Sequence, residues 1–344
     1  MKKILSLLLI LVLALGLVAC GGNDEPAVED GGEAAEPIVL QLCWETNMDD
    51  VIGLSMQKWA EELEAVSGGT MKIELYPASQ LGAKNDLIDQ MLAGAPVITL
   101  ADGAYFADRG IPDMSIHFAP YLYDSWEDAW RLVESDWWAD MTQQVADNGI
   151  RMLTSNHIYG ARNLVTSSKV VVPDDLKGLL IRVPNNVTQV TGMEALGATA
   201  TPLAYADIYT GLQQGTIDGM EAPLPQVLSM GFAEVAEYVA INEHNLNTTI
   251  WCTSEQFFQT LTDEQKAWLC ESGDVAGEFN QELYFEEEAA AKEQLIANGA
   301  TVTDLTDEQR ALWKEAAQSF YTSDAMLEMW SEGLYETVLA AMGK

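Results

Sequence analysis

Apolar positions recur at two alternating spacings along residues 38–101, and they predict strands and helices in turn. "IVLQLCWET" (residues 38–46), "MKIELYP" and "APVITLA" are short, largely apolar runs typical of strands. Between them, "DVIGLSMQKWAEELEAVSGG" places Val51, Leu54, Trp59 and Leu63 on one helical stripe, and "NDLIDQMLAG" predicts a second helix. This order, β-α-β-α-β, predicts an α/β fold with a mostly parallel, doubly wound sheet.

The same alternation of helices and strands continues from residue 125 onward. "SWEDAWRLVESDWWADMTQQVADNG" predicts a long helix or a helix pair, followed by the strand "IRMLTSNHI". At "YGARNLVTSSKVVVPDDLKG" the pattern changes to turns and short strands, which suggests a crossing into a second lobe. Further strands and helices follow as "LLIRVP", "NVTQVTGMEALG", "ATATPL", "YADIYTGLQQG" and "IDGMEAP", before "NTTIWCTSEQFF" returns as a strand to the first lobe.

A long helical segment is predicted from Thr262 to about Asn298, with Thr262 and Gln265 at capping-box positions. At about 1.5 Å per residue it would reach on the order of 55 Å, enough to cross both lobes, although Gly273 and Gly277 could interrupt it. We predict that residues 38–159 and 248–287 form lobe 1, and that residues 160–247 and 288–344 form lobe 2. Each lobe is expected to be a sheet flanked by helices. Two lobes with several chain crossings indicate a hinged protein that closes a cleft around a small molecule.

The first 37 residues have a different composition. Residues 1–19 begin with two lysines and continue as an apolar run, Ile4 to Val18, which predicts a secretory signal peptide. Leu17 to Cys20 resembles the bacterial lipoprotein box, in which the cysteine is lipidated; an uncleaved membrane anchor fits less well because the apolar run is short for a membrane span. Residues 20–37 are rich in Gly, Ala, Glu and Pro and predict a flexible acidic tether. We therefore expect an extracytoplasmic protein, anchored to the cell membrane by a lipid on Cys20.

The chain is strongly acidic. Its formal charge is −36, and it would be −38 without residues 1–19. Such a charge argues against a nucleic-acid partner and is typical of a solvated surface that keeps an exported protein soluble. Because cations are scarce, each buried arginine is informative.

The sequence shows little sign of a disulfide framework, a metal site or a catalytic motif. Apart from Cys20, the cysteines are Cys43, Cys252 and Cys270, with no CxxC spacing; unpaired thiols are favoured, and a Cys252–Cys270 bridge stays open. The three histidines lie far apart without metal-ligand spacing. No GxSxG motif or phosphate-binding loop occurs. We therefore predict no metal, no cofactor and no enzymatic activity.

Arg182 stands inside the apolar run "LLIRVP", which predicts a buried strand ended by Pro184. A charge there is costly unless it is paired. Its partner is either an internal carboxylate or an anionic ligand held beyond the strand ends. With 53 acidic residues in the chain, composition alone favours the internal ion pair.

The block "LKGLLIRVPNNVTQVTGMEALGATATPLAYADIYTGLQQGTIDGMEAPL", from Leu176 to Leu224, resembles the solute-binding subunits of tripartite ATP-independent periplasmic (TRAP) transporters, a family often labelled by its C4-dicarboxylate members. The resemblance extends through "SGGTMKIELYPASQLG" and "LTDEQKAWL". It implies a two-lobed periplasmic-binding-protein-like fold with a long helix spanning both lobes. It also implies that Arg182 forms a bidentate pair with a substrate carboxylate, that Arg162 is a second cationic contact, and that Tyr205 packs on the ligand. The alternatives are a surface ion pair for Arg162 and core packing for Tyr205.

Other positions of the block carry weaker expectations. Asn185 follows the strand of Arg182 and is a candidate ligand contact. Trp44 and Glu45 stand where family members present ligand contacts; Trp44 either walls the cleft or packs, and Glu45 either accepts a ligand hydrogen bond or is an exposed strand-end carboxylate. In "DGMEAP", Ala222 stands where many members have asparagine, so the substrate of this chain cannot be inferred from the dicarboxylate or sialic-acid members. Glu221 is expected to position the backbone.

The resemblance predicts a monomeric extracytoplasmic protein that captures a small organic carboxylate and delivers it to a TRAP-type permease driven by an ion gradient. An alternative is a ligand-sensing protein partnered with a membrane sensor kinase.

Overall fold

The computed structural model describes residues 36–344. The predicted signal peptide, Cys20 and nearly all of the predicted tether lie outside the described residues.

A nine-stranded mixed sheet forms the centre of the fold. Its strands run in the order β2-β1-β3-β8-β4-β7-β5-β6, and β9 pairs with β8 at the side. The strands are β1 (Ile38–Cys43), β2 (Met71–Tyr76), β3 (Val97–Ala101), β4 (Ile150–Thr166), β5 (Leu180–Val183), β6 (Thr199–Pro202), β7 (Gly219–Ala222), β8 (Tyr238–Ser254) and β9 (Thr301–Asp304).

Thirteen α-helices flank the sheet within residues 36–344. They are α1 (Val51–Val66), α2 (Lys84–Leu92), α3 (Gly103–Ala107), α4 (Trp126–Val133), α5 (Asp136–Asp147), α6 (Val187–Ala195), α7 (Ile208–Gln214), α8 (Leu224–Ser229), α9 (Glu255–Phe258), α10 (Asp263–Ala297), α11 (Asp307–Tyr321), α12 (Asp324–Met329) and α13 (Leu334–Ala341). The predicted β-α-β-α-β start, the helix pair and the α/β class are confirmed.

The sheet has two halves that share its two long strands. We call β1, β2 and β3 the first half and β5, β6 and β7 the second half; pairing within each half is parallel. β4 and β8, each of 17 residues, run antiparallel to each other with several register shifts. β8 pairs with β3 near the carboxyl end of β8. β4 pairs with β7 near the carboxyl end of β4. The two halves are thus joined through β4 and β8.

The long predicted helix is present as α10, whose 35 residues are capped by Thr262 and Gln265 in a capping box. Its two glycines do not interrupt it. Instead they let β4 and α1 approach the helix closely: a Cβ at Gly277 would lie 1.8 Å from Oδ1 of Asn156, and one at Gly273 would lie 2.8 Å from the indole of Trp59. A side chain at either position would displace the side chain of Asn156 or of Trp59, so the close approach depends on glycine.

The C-terminal helices contribute to two buried clusters, and Trp313 and Ala317 of α11 pack in the cluster that contains Val183 of β5. Phe320, Met326 and Val338 belong to the same buried cluster as Val97 of β3. Another buried cluster lies around Trp59 and α10, and two further clusters pack against the second half of the sheet. The lobe boundaries given above stay predictions.

Three cysteines fall within the described residues, and all three are free thiols. Cys43 and Cys252 are buried in the sheet, and Cys270 is partly buried on α10. The Cys252–Cys270 bridge that the sequence left open is therefore not formed, and these side chains contribute as small apolar groups.

Candidate functional site

A cavity of about 490 Å³ lies where strands of both halves end. Glu45 follows β1, whereas Arg182 and Asn185 stand at and just beyond the carboxyl end of β5. The full lining consists of Glu45, Ala83, Lys84, Asn85, Tyr105, Arg182, Pro184, Asn185, Pro202, Leu203, Ala204 and Tyr205. This position fits the general rule that α/β sheets bind ligands beyond the carboxyl ends of their strands. Its size suits a small organic molecule.

The cavity narrows inward to a space of about 20 Å³. The two spaces share six lining residues: Glu45, Lys84, Tyr105, Arg182, Pro184 and Tyr205. The inner end adds polar side chains from the central strands, including Arg162, Asn247 and Thr249, and the buried carboxyl of Asp102. The inner end thus adds charged and polar groups to a cavity whose outer part is lined by polar and apolar residues alike.

Arg182 is a buried cation without a carboxylate partner in the part of the chain that the structure describes. It is 3 % exposed, and its Nε donates to the carbonyl of Leu203 at 2.9 Å. That bond holds the guanidinium beside the Tyr205 ring, 5.7 Å from the ring centroid. Within residues 36–344 it forms no ion pair. The internal ion pair that composition favoured is therefore not made by any described residue.

Arg162 is also buried, but it has an internal partner. Its Nε and Nη2 both donate to the carboxylate of Glu221, with Nη2 at 2.7 Å from Oε1, and its Nη1 donates to Oδ1 of Asn247 at 3.1 Å. The rings of Phe118 and Tyr159 lie 5.4 and 5.2 Å from the guanidinium carbon. Although Arg162 borders the inner cavity, most of its donors are already used.

Glu221 holds Arg162 in place through its side chain. The sequence analysis expected Glu221 to position backbone rather than to contact the ligand. The structure instead places its carboxylate against Arg162, two residues before its β4 partner Leu164, and Glu221 lines neither space of the cavity. Burial alone would raise the pKa of Glu221, but Arg162 and His244 lower it to about 2. The Glu221 carboxylate also raises the pKa of Arg162 above its ordinary value, against the effect of burial. Both groups are charged at neutral pH.

Lys84, which the sequence analysis did not select, forms a second buried ion pair. Its Nζ lies 2.8 Å from Oε2 of Glu45, and the two side chains are 7 % and 14 % exposed. The ammonium also faces the Tyr105 ring at 4.7 Å. Burial alone would lower the pKa of Lys84, but Glu45, together with Tyr105, Tyr159 and Asp102, raises it above its ordinary value. The available signal was a lysine at the start of a helix, just after a strand and a glycine turn, in a chain with few cations.

Trp44 lines neither space of the cavity, so of the two alternatives that the sequence offered for it, the structure shows core packing. It is 1 % exposed, packs in the cluster around Trp59, and donates from its indole to the carbonyl of Asn47 at 3.4 Å. Glu45 is the next residue, in the bend that follows β1, and its side chain faces the cavity.

The remaining sequence candidates divide between cavity and core. Asn185 and Tyr205 line the cavity, and the Tyr205 ring also packs edge-on against Phe232 at 6.0 Å. The Tyr205 hydroxyl is buried and has no hydrogen-bond partner among the described residues. Ala222 is 1 % exposed within the core of the second half and lines neither space of the cavity.

Residues 44–327 match the family model described as bacterial extracellular solute-binding protein, family 7. The chain belongs to this family. Its members among the similar proteins are TRAP solute-binding proteins, which act in transport. No helix among residues 36–344 is long and apolar enough to cross a membrane.

Similar proteins cover most of the chain. The ectoine/5-hydroxyectoine-binding periplasmic protein UehA of Ruegeria pomeroyi is 31% identical over 89% of this chain and 90% of its own length. A TRAP solute-binding protein from Ochrobacterium anthropi with bound L-fuconate has 32% identity and a TM-score of 0.85, covering 89% of this chain and 99% of that one. A second, from Actinobacillus succinogenes with bound L-galactonate, has 29% identity and a TM-score of 0.84 over 89% and 99%. These likenesses confirm the family resemblance and the two-lobed fold.

Proposed function

We propose that this family member captures a small organic carboxylate outside the cytoplasm and delivers it to a TRAP-type permease. The proposal rests on one observation: Arg182 is buried at the cavity wall with no carboxylate partner among the described residues. A buried cation without a counter-charge is costly, so a ligand carboxylate fits its environment. The guanidinium fork can bind both carboxylate oxygens at once.

The relatives support an acid as ligand. L-Fuconate, L-galactonate and ectoine differ in their bodies and share a carboxylate. In our proposal the carboxylate contacts Arg182, while Asn185 and the Glu45 side of the cavity contact the rest of the ligand. Closure of the two lobes then excludes water from the ion pair, which strengthens it.

The proposal predicts that Arg182→Ala loses affinity for organic acids by about 100-fold or more. Hydrogen bonds to charged groups contribute about 1.5–3 kcal/mol each, and a bidentate pair has two. The measurement is calorimetric titration with an acid first selected by a thermal-shift screen, since a ligand that binds only the folded state raises its melting temperature. Lys177→Ala serves as the control because Lys177 forms an exposed ion pair with Asp174. Equal affinity of Arg182→Ala and the unchanged protein would refute the assignment.

We further propose that the protein is not an enzyme, that it acts as a monomer and that Cys20 carries the lipid anchor. The bound acid should be recovered unchanged by NMR after long incubation, and a chemically altered product would contradict this. Sedimentation should give the mass of a single chain with and without ligand. Cys20→Ser should move the protein from the membrane fraction to the soluble fraction; retention in the membrane fraction would refute the anchor.

A further inference from the structure

The cavity wall carries three buried basic side chains in two different electrostatic states. Arg162 is neutralised by Glu221, and Lys84 is neutralised by Glu45. Arg182 alone of the three has no carboxylate partner among the described residues. The paired groups cancel, so the wall offers one uncompensated positive charge. A ligand with a single negative charge matches it.

Asp102 is a further acidic group at the inner end, and it is already used within the fold. Its Oδ1 accepts from the N–H of Ala104 and caps α3. Burial raises the pKa of Asp102, against the lowering effect of Lys84 and Arg162. The cations that act most on Asp102 are thus the two that already have carboxylate partners, so Asp102 does not supply the counter-charge that Arg182 lacks.

The Lys84–Glu45 pair offers a donor beside an acceptor. The ammonium has three N–H groups, of which one is directed at Glu45, and the carboxylate has a second oxygen besides the one held by Lys84. Both side chains line the same cavity as Arg182. A hydroxyl group both donates and accepts, so it can satisfy both members of the pair without adding charge.

We propose that the Lys84–Glu45 pair sets the charge class of the ligand and restricts the site to hydroxylated monocarboxylates. This inference rests on the proposed function, in which Arg182 holds the first carboxylate. A second carboxylate would meet Glu45, and a cationic group would meet Lys84. The pair thus selects against dicarboxylates and against ligands with a positive charge at the far end.

The test measures galactonate, succinate and ectoine binding to single variants of the pair. Glu45→Gln keeps the shape and leaves Lys84 as a second uncompensated cation. Its affinity for succinate should rise about tenfold, and its affinity for galactonate should fall about tenfold, because the hydroxyls lose a charged acceptor. Lys84→Met leaves Glu45 unpaired, and its affinity for ectoine should rise relative to galactonate.

The exposed pair Lys58–Glu62, 35 % and 31 % exposed, provides matched controls. Glu62→Gln and Lys58→Met should leave all three affinities unchanged. Thermal melts confirm that each variant folds; if Lys84→Met does not fold, the Glu45→Gln result decides alone.

The inference is overturned if the unchanged protein binds succinate as tightly as galactonate, or if Glu45→Gln leaves the ratio of the two affinities where it was. Failure of the proposed function gives a different result, since Arg182→Ala would then bind these acids as well as the unchanged protein does.

Discussion

Arg182 and Arg162 lie in similar surroundings but differ in their hydrogen-bond and ion-pair partners. Both are buried, at 3 % and 7 % exposed, and each guanidinium lies beside a tyrosine ring. Arg162 donates to both oxygens of Glu221, whereas Arg182 donates to the backbone carbonyl of Leu203. Burial of a cation therefore does not indicate a ligand site by itself. The distinguishing feature is whether the fold supplies the carboxylate.

The largest expected effect is on stability at the Arg162 region. Glu221→Ala leaves a buried arginine without its counter-charge, which is expected to lower the free energy of unfolding by about 3–5 kcal/mol. Arg182→Ala removes a cation that has no carboxylate partner among residues 36–344, and it should change that free energy by less than about 1 kcal/mol. Urea denaturation of ligand-free protein measures both.

Either of these two stability predictions can be contradicted. An equal loss of stability in both variants would show that Arg182 also has a structural role. A loss below about 1 kcal/mol for Glu221→Ala would show that water or a neighbouring group replaces the carboxylate.

Sequence patterns predicted the fold better than they predicted the site. The capping box at Thr262 and the β-α-β-α-β start are local properties, and both were confirmed. The turn predicted at Tyr159 and Gly160 was wrong, because both residues lie inside the continuous strand β4, whose irregularity is a set of register shifts against β8. The Arg162–Glu221 and Lys84–Glu45 pairs join residues 59 and 39 positions apart, so no local pattern indicates them. Trp44 shows the same limit, because a single residue step decides between core and cavity.

A smaller effect on the free energy of unfolding is expected at acidic pH. The pKa of Glu221 lies near 2 in the folded protein, against an ordinary value of 4.5. Because the folded value is the lower one, the stabilisation is fully present above about pH 4.5 and is lost as pH falls from 4.5 towards 2. Many other carboxylates titrate there, so the difference between the unchanged protein and Glu221→Gln is the useful quantity. That difference should shrink by about 2 kcal/mol between pH 6 and pH 3.

Urea denaturation of both proteins at several pH values tests this expectation. A difference that is constant from pH 6 to pH 3 would show that the Glu221 carboxylate gains nothing from Arg162. Arg182→Ala is the reference, since it should leave the pH dependence of stability unchanged.

The smallest expected effect concerns the hydroxyl of Tyr205, beside the unpaired arginine. That oxygen is buried without a hydrogen-bond partner among the described residues, so its removal relieves an unsatisfied polar group rather than breaking a bond. Tyr205→Phe should therefore leave the free energy of unfolding unchanged or raise it by up to about 1 kcal/mol. The ring that packs against Phe232 and borders Arg182 is kept, so affinity for the selected acid should change less than threefold. Urea denaturation measures the free energy of unfolding, and calorimetry measures the affinity.

Tyr205→Ala is the matched comparison, because it removes the ring and should lower both the free energy of unfolding and the affinity. A drop of tenfold or more in affinity for Tyr205→Phe would show instead that the ligand bonds to the hydroxyl, and the cavity would then present a second polar contact next to Arg182.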